Sequence, residues 1–202
     1  MKRTLRFLLP IILFCISLNV FAQTEKGTYI AGATTALNAG IIEHSRVTGN
    51  VSTLSERITR FSISPYAGYF IKDNLALGAE LNILLSKTED FDYEFELRET
   101  NFSLSPFVRY YFGTKKIKPF AHASLGVGSY KDKYYSSRFD LNNDSRLTIF
   151  FYSLNAGIGF LINDKASIDL KLGYSRITSK NEGDFKGIQN AFGLNAGFSL
   201  FL

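Results

Sequence analysis

Asn195-Ala-Gly-Phe-Ser-Leu-Phe-Leu202, the last eight residues of the chain, decide the fold class. Successive side chains of a strand point to opposite faces, so residues two apart share a face. One face of this strand carries large apolar residues: Phe192, Leu194, Ala196, Phe198, Leu200 and Leu202. The other face carries small or polar residues: Ala191, Gly193, Asn195, Gly197 and Ser199. This pattern predicts a barrel with a lipid-facing outer surface and a small, polar interior. An amphipathic edge strand of a soluble β protein is the alternative.

The spacing of four residues in this ending predicts a second role for it. Asn195, Gly197, Leu200 and Leu202 resemble the C-terminal assembly signal of bacterial outer-membrane barrels. The resemblance implies that the barrel-assembly machinery of the cell is a partner during biogenesis. Such signals usually end in an aromatic residue, whereas here the aromatic residue, Phe201, is second to last.

The N-terminus predicts export. Lys2, Arg3 and Arg6 precede a largely apolar run over residues 7–18, and Val20-Phe21-Ala22 has the form of a cleavage site. The run is shorter than the roughly 20 apolar residues of a membrane-spanning helix. We therefore expect residues 1–22 to be a cleaved signal peptide and residues 23–202 to form one domain. The only cysteine, Cys15, leaves with the signal peptide, so the mature chain has no thiol chemistry.

The charge balance gives no reason to expect a nucleic-acid partner. The whole chain has 23 Lys and Arg against 18 Asp and Glu. Loss of the three basic residues of the signal peptide leaves 20 against 18. The mature protein is therefore nearly neutral, and its charge does not resemble the basic surface that phosphate backbones require.

Period-two alternation predicts eight strands, near residues 27–38, 57–71, 75–87, 97–112, 119–131, 147–162, 166–178 and 188–202. The connections between them alternate in length. The short ones contain residues 72–74, 113–118 and 163–165, and the long polar ones contain residues 39–56, 88–96, 132–146 and 179–187. Short turns at one end and long loops at the other are typical of outer-membrane barrels. The predicted fold is all-β: an eight-stranded antiparallel up-and-down transmembrane β-barrel.

Aromatic residues crowd the strand ends beside the short turns. In a membrane barrel this is the place of the interfacial girdle. We therefore expect an outward-facing girdle, with an ordinary aromatic core as the alternative, formed by Tyr69, Phe70, Tyr110, Tyr111, Phe112, Phe120 and Phe160.

Three stretches carry a family resemblance. They are residues 63–81, Ser105-Pro-Phe-Val-Arg-Tyr-Tyr-Phe112 and Pro119-Phe-Ala-His-Ala-Ser-Leu-Gly126. They resemble the small outer-membrane β-barrel domain proteins that are often described as porin-like, with the architecture of the OmpA and OmpX barrels. The resemblance covers the whole mature chain and implies a location in the outer membrane of a Gram-negative bacterium. It says little about activity, since one fold supports many functions.

Five ionisable residues are expected inside the barrel, near the short turns: Glu80, Arg109, His122, Asp169 and Lys171. An eight-stranded barrel has room only for side chains, and buried charges should be paired. We therefore interpret these residues as a polar cluster that fills the lumen. A proton path or a narrow channel is the alternative.

Two polar segments are candidates for binding at the long-loop end. In residues 89–96 acidic residues alternate with aromatic ones, so the strands should continue above the membrane with Asp90, Asp92 and Glu94 on one face. Such carboxylates suit divalent cations shared with lipopolysaccharide phosphates. In residues 131–139, Tyr134, Tyr135 and Arg138 suit lipid headgroups or a protein partner. A solvated loop is the alternative for both. The expected partners are outer-membrane lipid and lipopolysaccharide, and we expect a monomer.

The sequence does not favour an enzyme. Some outer-membrane barrels modify lipid A with His, Ser and acidic residues, and Glu43-His44-Ser45 has these residue types. Adjacent residues of a loop do not by themselves hold a catalytic triad. No spacing typical of a metal or phosphate site is present, and we expect no cofactor. The predicted function is envelope integrity or adhesion through the loops. The alternatives are a soluble secreted ligand-binding β-barrel and a lipid-modifying enzyme of the outer membrane.

Overall fold

The computed structural model describes residues 24–37, 40–48, 51–113, 116–136, 141–180 and 186–202. The expected signal peptide at residues 1–22 and Arg138 lie outside these ranges. The strands are β1 (Tyr29–Ala36), β2 (Gly40–Thr48), β3 (Val51–Lys72), β4 (Leu75–Asp90), β5 (Phe95–Tyr111), β6 (Ile117–Ser136), β7 (Leu141–Asn163), β8 (Ala166–Lys180) and β9 (Lys186–Phe201). Among the residues described, no helix has the length and apolar character needed to cross a membrane.

The strands form one closed antiparallel sheet. β1 pairs with β9 on one side and with the end of β3 on the other, which closes the ring. β2 pairs with the beginning of β3, from Gly40↔Arg60 to Thr48↔Val51. β1 and β2 are therefore two parts of the first of eight barrel strands. The prediction of an eight-stranded antiparallel β-barrel is confirmed.

The two ends of the barrel differ. At one end, which we call the turn end, short connections follow β3, β5 and β7. At the other, which we call the ribbon end, paired strands extend far beyond the predicted boundaries. The expected long loop at residues 88–96 is reduced to a turn over residues 91–94, and the expected loop at residues 39–56 largely forms β2 and the start of β3. The prediction of long loops is therefore wrong in extent. The strands do continue as a ribbon, as the alternation at residues 89–96 predicts, although residues 91–94 form the turn. The other polar ribbon strands show no such alternation, so the sequence does not distinguish them from loops.

A band of large apolar side chains covers the outside of the barrel. Val127, Leu154 and Leu172 are 61%, 58% and 59% exposed, although each lies in the middle of a paired strand. The side chains that alternate with the outward apolar residues along each strand point inward. Ser103, Ser105 and Ser199 are examples, and all three are buried. Apolar residues outside and small polar residues inside are what a lipid-facing barrel requires.

An aromatic layer, which we define as Ile30, Phe70, Tyr111, Phe120 and Phe201, closes the lumen at the turn end. All five side chains are buried. The ring of Tyr111 lies 5.5 Å from that of Phe120 and 6.0 Å from that of Phe201, centroid to centroid. Three of the seven residues expected in the outward girdle, Phe70, Tyr111 and Phe120, therefore point inward. Tyr69, Tyr110, Phe112 and Phe160 are exposed on the outside.

Candidate functional site

Arg109 occupies the centre of the lumen, directly above the aromatic layer. It lies on β5 at an inward position, and its side chain is fully buried. One guanidinium nitrogen, Nη1, donates to the hydroxyl groups of Tyr66 and Tyr111 at 3.1 and 3.2 Å. The same nitrogen lies 3.4 Å from Oδ2 of Asp169. The ion pair and these hydrogen bonds offset much of the cost of burying the guanidinium, although its Nη2 is buried without a hydrogen-bond partner.

Aromatic rings surround the same guanidinium. Its carbon Cζ lies 4.5 Å from the ring centroid of Tyr66, 4.8 Å from that of Phe120 and 5.8 Å from that of Phe107. Attraction between a cation and an aromatic ring strengthens where water is excluded. The aromatic residues thus stabilise the charge as well as filling space.

Asp169, on β8, is the anionic partner of Arg109. Its Oδ1 accepts a hydrogen bond from the hydroxyl of Ser167 at 2.7 Å, and its Oδ2 accepts one from the hydroxyl of Ser199. Ser199 is also 2.6 Å from the hydroxyl of Tyr66. The pair is therefore embedded in a network that joins β3, β5, β8 and β9.

His122 and Glu80 form a second pair beside the first. Nε2 of His122 lies 3.4 Å from Oε2 of Glu80. Nδ1 of His122 accepts a hydrogen bond from Nε of Arg109 at 3.2 Å, which places the proton of a neutral imidazole on Nε2, toward Glu80. The imidazole also stacks on Phe107, with centroids 5.0 Å apart. Nδ1 of His122 is thus hydrogen-bonded, whereas Nε2 contacts Glu80 without a hydrogen bond of good geometry.

Lys171 completes the set of five lumen residues. Its side chain is buried, and it lines a cavity on the ribbon-end side of the cluster. In the described part of the chain, no carboxylate lies within ion-pairing distance of its ammonium group and no hydrogen bond to that group is formed. The structure therefore brings all five predicted residues together but pairs only four of them.

The network also contains Tyr66, Phe107, Tyr111, Ser167 and Ser199, which sequence reasoning did not assign to the lumen cluster, although it placed Ser199 on the small, polar face. Alternation along the strand identifies them as inward, because Phe107 and Tyr111 lie two residues from Arg109 and Ser167 lies two residues from Asp169. Tyr66 lies directly opposite Glu80, and Ser199 directly opposite Ser167.

The predicted loop residues lie at the tip of the β4–β5 ribbon and beside it. Oδ1 of Asp90 accepts hydrogen bonds from the backbone N–H groups of Asp92 and Tyr93 at 2.9 and 2.8 Å, so this carboxylate stabilises the turn. Glu94 occupies the turn with a φ of 52°. Tyr134 stacks on Phe95 at 5.6 Å, and Tyr135 points outward.

Charged residues cover the outer face of the ribbons, beyond the apolar band. Lys87 pairs with Glu89 at 2.6 Å and with Glu96 at 3.0 Å, and Arg98 also pairs with Glu96. Lys133 pairs with Asp144 at 3.2 Å. Lys131 and Arg146 lie directly opposite each other on β6 and β7, and neither forms an ion pair with a described residue. Sequence reasoning singled out Asp90, Asp92 and Glu94 on the β4–β5 ribbon, whereas the ion pairs there are formed by Glu89 and Glu96.

The geometry does not assemble a catalytic triad among the described residues. His44 is exposed, and its Nδ1 lies 2.9 Å from Oε2 of Glu56. Glu43 is paired with Arg57 at 2.8 Å. His122 contacts an arginine and a glutamate, with no hydroxyl nucleophile hydrogen-bonded to either ring nitrogen. General-base activation of a serine requires such a contact.

Comparisons with known proteins agree with this architecture. A family model described as "Outer membrane protein beta-barrel domain" matches residues 8–199. The fold is similar to that of a major outer membrane protein from Thermus thermophilus, with a TM-score of 0.52 and 10% identity over 87% of this chain and 99% of that one. OprG from Pseudomonas aeruginosa gives a TM-score of 0.42 and 11% identity over 91% and 99% of the two chains. Ail, the attachment invasion locus protein of Yersinia pestis, gives 0.43 and 14% over 90% and 100%. Among curated proteins, no sequence matches.

Proposed function

The chain belongs to the outer membrane protein β-barrel domain family, and on this basis we propose that it is a non-enzymatic structural and surface-recognition protein. In this proposal the signal peptide at residues 1–22 exports the chain. The turn end then faces the periplasm and the ribbon end faces the outside of the cell, as in other outer-membrane barrels.

The observation that carries the proposal is the closed lumen. Arg109 and Asp169 are fully buried, and the aromatic layer lies beneath them. The N-terminal segment adds a further contact at the turn end, where Nζ of Lys118 donates to the hydroxyl of Thr24 at 3.0 Å. A barrel filled in this way supports a structural role better than passive transport of solutes. In this proposal the polar cluster acts as a structural plug.

The partner that fits the outer surface best is the phosphate-bearing headgroup of lipopolysaccharide. Val127↔Phe150 is an outward apolar pair, and Lys131↔Arg146 lies four residues further along the same two strands. At about 3.3 Å per residue, the two basic groups lie roughly 13 Å beyond that pair before strand tilt is considered. This places them at headgroup level.

Charge supports the same partner. Like charges directly opposite each other destabilise a sheet. Arg98↔Lys133 and Lys131↔Arg146 are two such pairs on adjacent strands. Phosphate groups would neutralise the second pair, which has no counter-ion among the described residues. A basic residue near an anionic membrane surface contributes about 1 kcal/mol.

The test is binding of purified lipopolysaccharide to the detergent-solubilised protein. Removing both charges, with Lys131→Gln and Arg146→Gln, should weaken binding by about 2 kcal/mol, roughly 30-fold. The matched control, Lys72→Gln with Lys165→Gln, removes the same charge at the turn end and should leave binding unchanged. Equal affinities for the two double variants would contradict recognition at the ribbon end.

A further inference from the structure

The ribbon-end half of the lumen is not filled. A cavity of about 610 Å³ lies above the charged cluster. Its walls combine apolar side chains with small polar ones, which leave the space that larger inward residues would occupy. The small polar residues are Ser62, Asn82, Asn101, Ser153, Asn155 and Asn195. The expectation that this barrel has room only for side chains is therefore wrong for its outer half. The volume lies within the range of known small-molecule sites.

The cavity is closed toward the turn end and open toward the ribbon end. Lys171 and Glu80 line its inner end, and the Arg109 network and the aromatic layer lie beneath them. Its sides reach the seam of the barrel, where Leu37 of the first strand and Leu194 of β9 both line it. In the described residues, pairing between the first strand and β9 stops at the hydrogen bond from Leu37 N to Leu194 O, and β2 pairs only with β3. A ligand therefore has access from the ribbon end.

Two cationic side chains, Lys171 and Arg60, line this cavity, and neither forms a direct ion pair with a described residue. The ammonium group of Lys171 has no ion pair or hydrogen bond with any described residue. Nε of Arg60, nearer the opening, is buried and has no hydrogen-bond partner. The one carboxylate of the lining, Glu80, lies against His122. The lining thus carries two cationic residues against one carboxylate, and this net positive charge favours an anionic ligand.

The remaining polar groups of the wall suit hydroxyl groups. The side-chain amides of Asn101 and Asn195 form no hydrogen bond with described residues, and Asn155 uses only one N–H, which donates to Ser153 at 3.0 Å. An amide offers both donors and acceptors, and a hydroxyl group needs both. Apolar surface is supplied by several strands, through Leu84, Ile149, Phe151 and Ile177 among others.

We propose that the outer half of the lumen binds a small polyhydroxylated carboxylate. The carboxylate group accepts hydrogen bonds from Nζ of Lys171 at the floor. Arg60 adds positive charge along the wall, and the asparagine amides bind the hydroxyl groups. This site is separate from the lipopolysaccharide surface on the outside of the barrel, so either proposal can fail without the other.

The experiment is calorimetric titration of the full-length protein in detergent with gluconate, and with uncharged glucose for comparison. Gluconate should bind saturably and at least about tenfold more tightly than glucose, since a hydrogen bond to a charged group contributes about 1.5–3 kcal/mol. Lys171→Met should remove this preference. Absence of saturable gluconate binding, or equal affinity for gluconate and glucose, would overturn the proposal.

A second variant tests the location without disturbing the charged cluster. Gly193 lines the cavity, and a Cβ atom built on it has no heavy atom within 4 Å. Gly193→Phe should fill the space and abolish gluconate binding, while the heat-modifiable gel migration of a folded barrel is kept. A folded Gly193→Phe protein that binds gluconate like the wild type would place the ligand elsewhere and refute the proposed site.

Discussion

Arg109 and Asp169, sixty residues apart in the chain, meet at 3.4 Å inside the barrel with neither side chain exposed to solvent. The first residue is on β5 and the second on β8, so the ion pair links opposite parts of the sheet across the lumen. This pair is the structural centre of the protein, and the first prediction concerns it.

Breaking the pair should be costly. Asp169→Asn leaves Arg109 charged in a buried site, and removal of one partner of a buried pair typically costs about 3–5 kcal/mol. Reversible urea unfolding in lipid vesicles measures the change. The matched control is Asp144→Asn, which breaks the exposed pair with Lys133 and should cost about 0–1 kcal/mol. Similar costs for the two variants would show that the lumen network does not stabilise the barrel.

The two faces of the sheet should respond differently to a new charge. Leu170 points outward between Ile158 and Ala196, both outward apolar residues, so Leu170→Arg places a charge in lipid. We expect a loss of about 2–4 kcal/mol if the residue is near the midplane. Gly193→Arg, which points into the open cavity, should cost less in the same unfolding assay. The reverse order would mean that inside and outside are inverted.

The inward glycines should not be equivalent. A Cβ atom on Gly157 would lie 2.3 Å from Cζ of Phe120, whereas one on Gly193 meets nothing within 4 Å. Phe120 belongs to the aromatic layer and has little room to move. Overpacking of this kind costs about 1–3 kcal/mol, so Gly157→Ala should destabilise the barrel and Gly193→Ala should not. Equal midpoints in urea for the two alanine variants would contradict the packing described above.

The ion pairs of the β4–β5 ribbon should give a pH dependence. Burial favours a higher pKa for the carboxyl group of Glu96, but hydrogen bonds from Lys87 and Arg98 hold that pKa below its usual value overall. A lowered pKa means that Glu96 stabilises the folded ribbon above the usual glutamate pKa, and that this contribution is lost as the pH falls through the lowered value. Carboxyl carbon NMR shifts report the titration. Lys87→Gln should raise the midpoint, and Lys131→Gln on β6 should leave it unchanged; an unchanged midpoint in Lys87→Gln would refute the coupling.

The C-terminal strand should carry assembly information in addition to its structural role. Deleting residues 198–202 removes Phe201 from the aromatic layer and breaks the reciprocal backbone hydrogen bonds between Tyr29 and Leu202. We expect an exported chain that remains unfolded and sensitive to protease. Replacing the turn over residues 91–94 with Asn-Gly should leave assembly intact.

A milder variant separates the signal from the structure. Leu202→Asn leaves Phe201 in place, so it should refold normally in detergent. If Asn195, Gly197, Leu200 and Leu202 form a signal, this variant should still assemble more slowly in cells, as pulse-chase measurements of heat-modifiability would detect. Assembly at the wild-type rate would exclude Leu202 from the signal.

Parity explains what the sequence predicts well. Once Leu170 is placed outside, Asp169 and Lys171 must point inward, and antiparallel pairing carries the same assignment to the next strand. The barrel and the gathering of five ionisable residues in its lumen follow from this rule. The pairing of particular atoms does not, because Arg109 and Asp169 lie on strands that are not neighbours, and their contact depends on the width of the barrel.

The aromatic residues near the turns show where composition misleads. Tyr110 and Tyr111 are adjacent and chemically identical, yet one belongs to the outer girdle and the other to the aromatic layer. Proximity to a turn does not distinguish the two surfaces, whereas their alternation along the strand does. Apart from the alternation at residues 89–96, the ribbons are harder to predict, because a polar strand surrounded by water has no buried face and therefore no periodic apolar pattern.

The aromatic layer closes the lumen at the turn end, so the cavity opens away from that end. In the proposed orientation, a ligand that enters the outer half leaves by the same side, so its occupancy would follow the composition of the external medium and would be independent of any gradient across the membrane. A cell can therefore carry many copies of such a protein without weakening the permeability barrier of its membrane. An open pore of the same size would weaken that barrier.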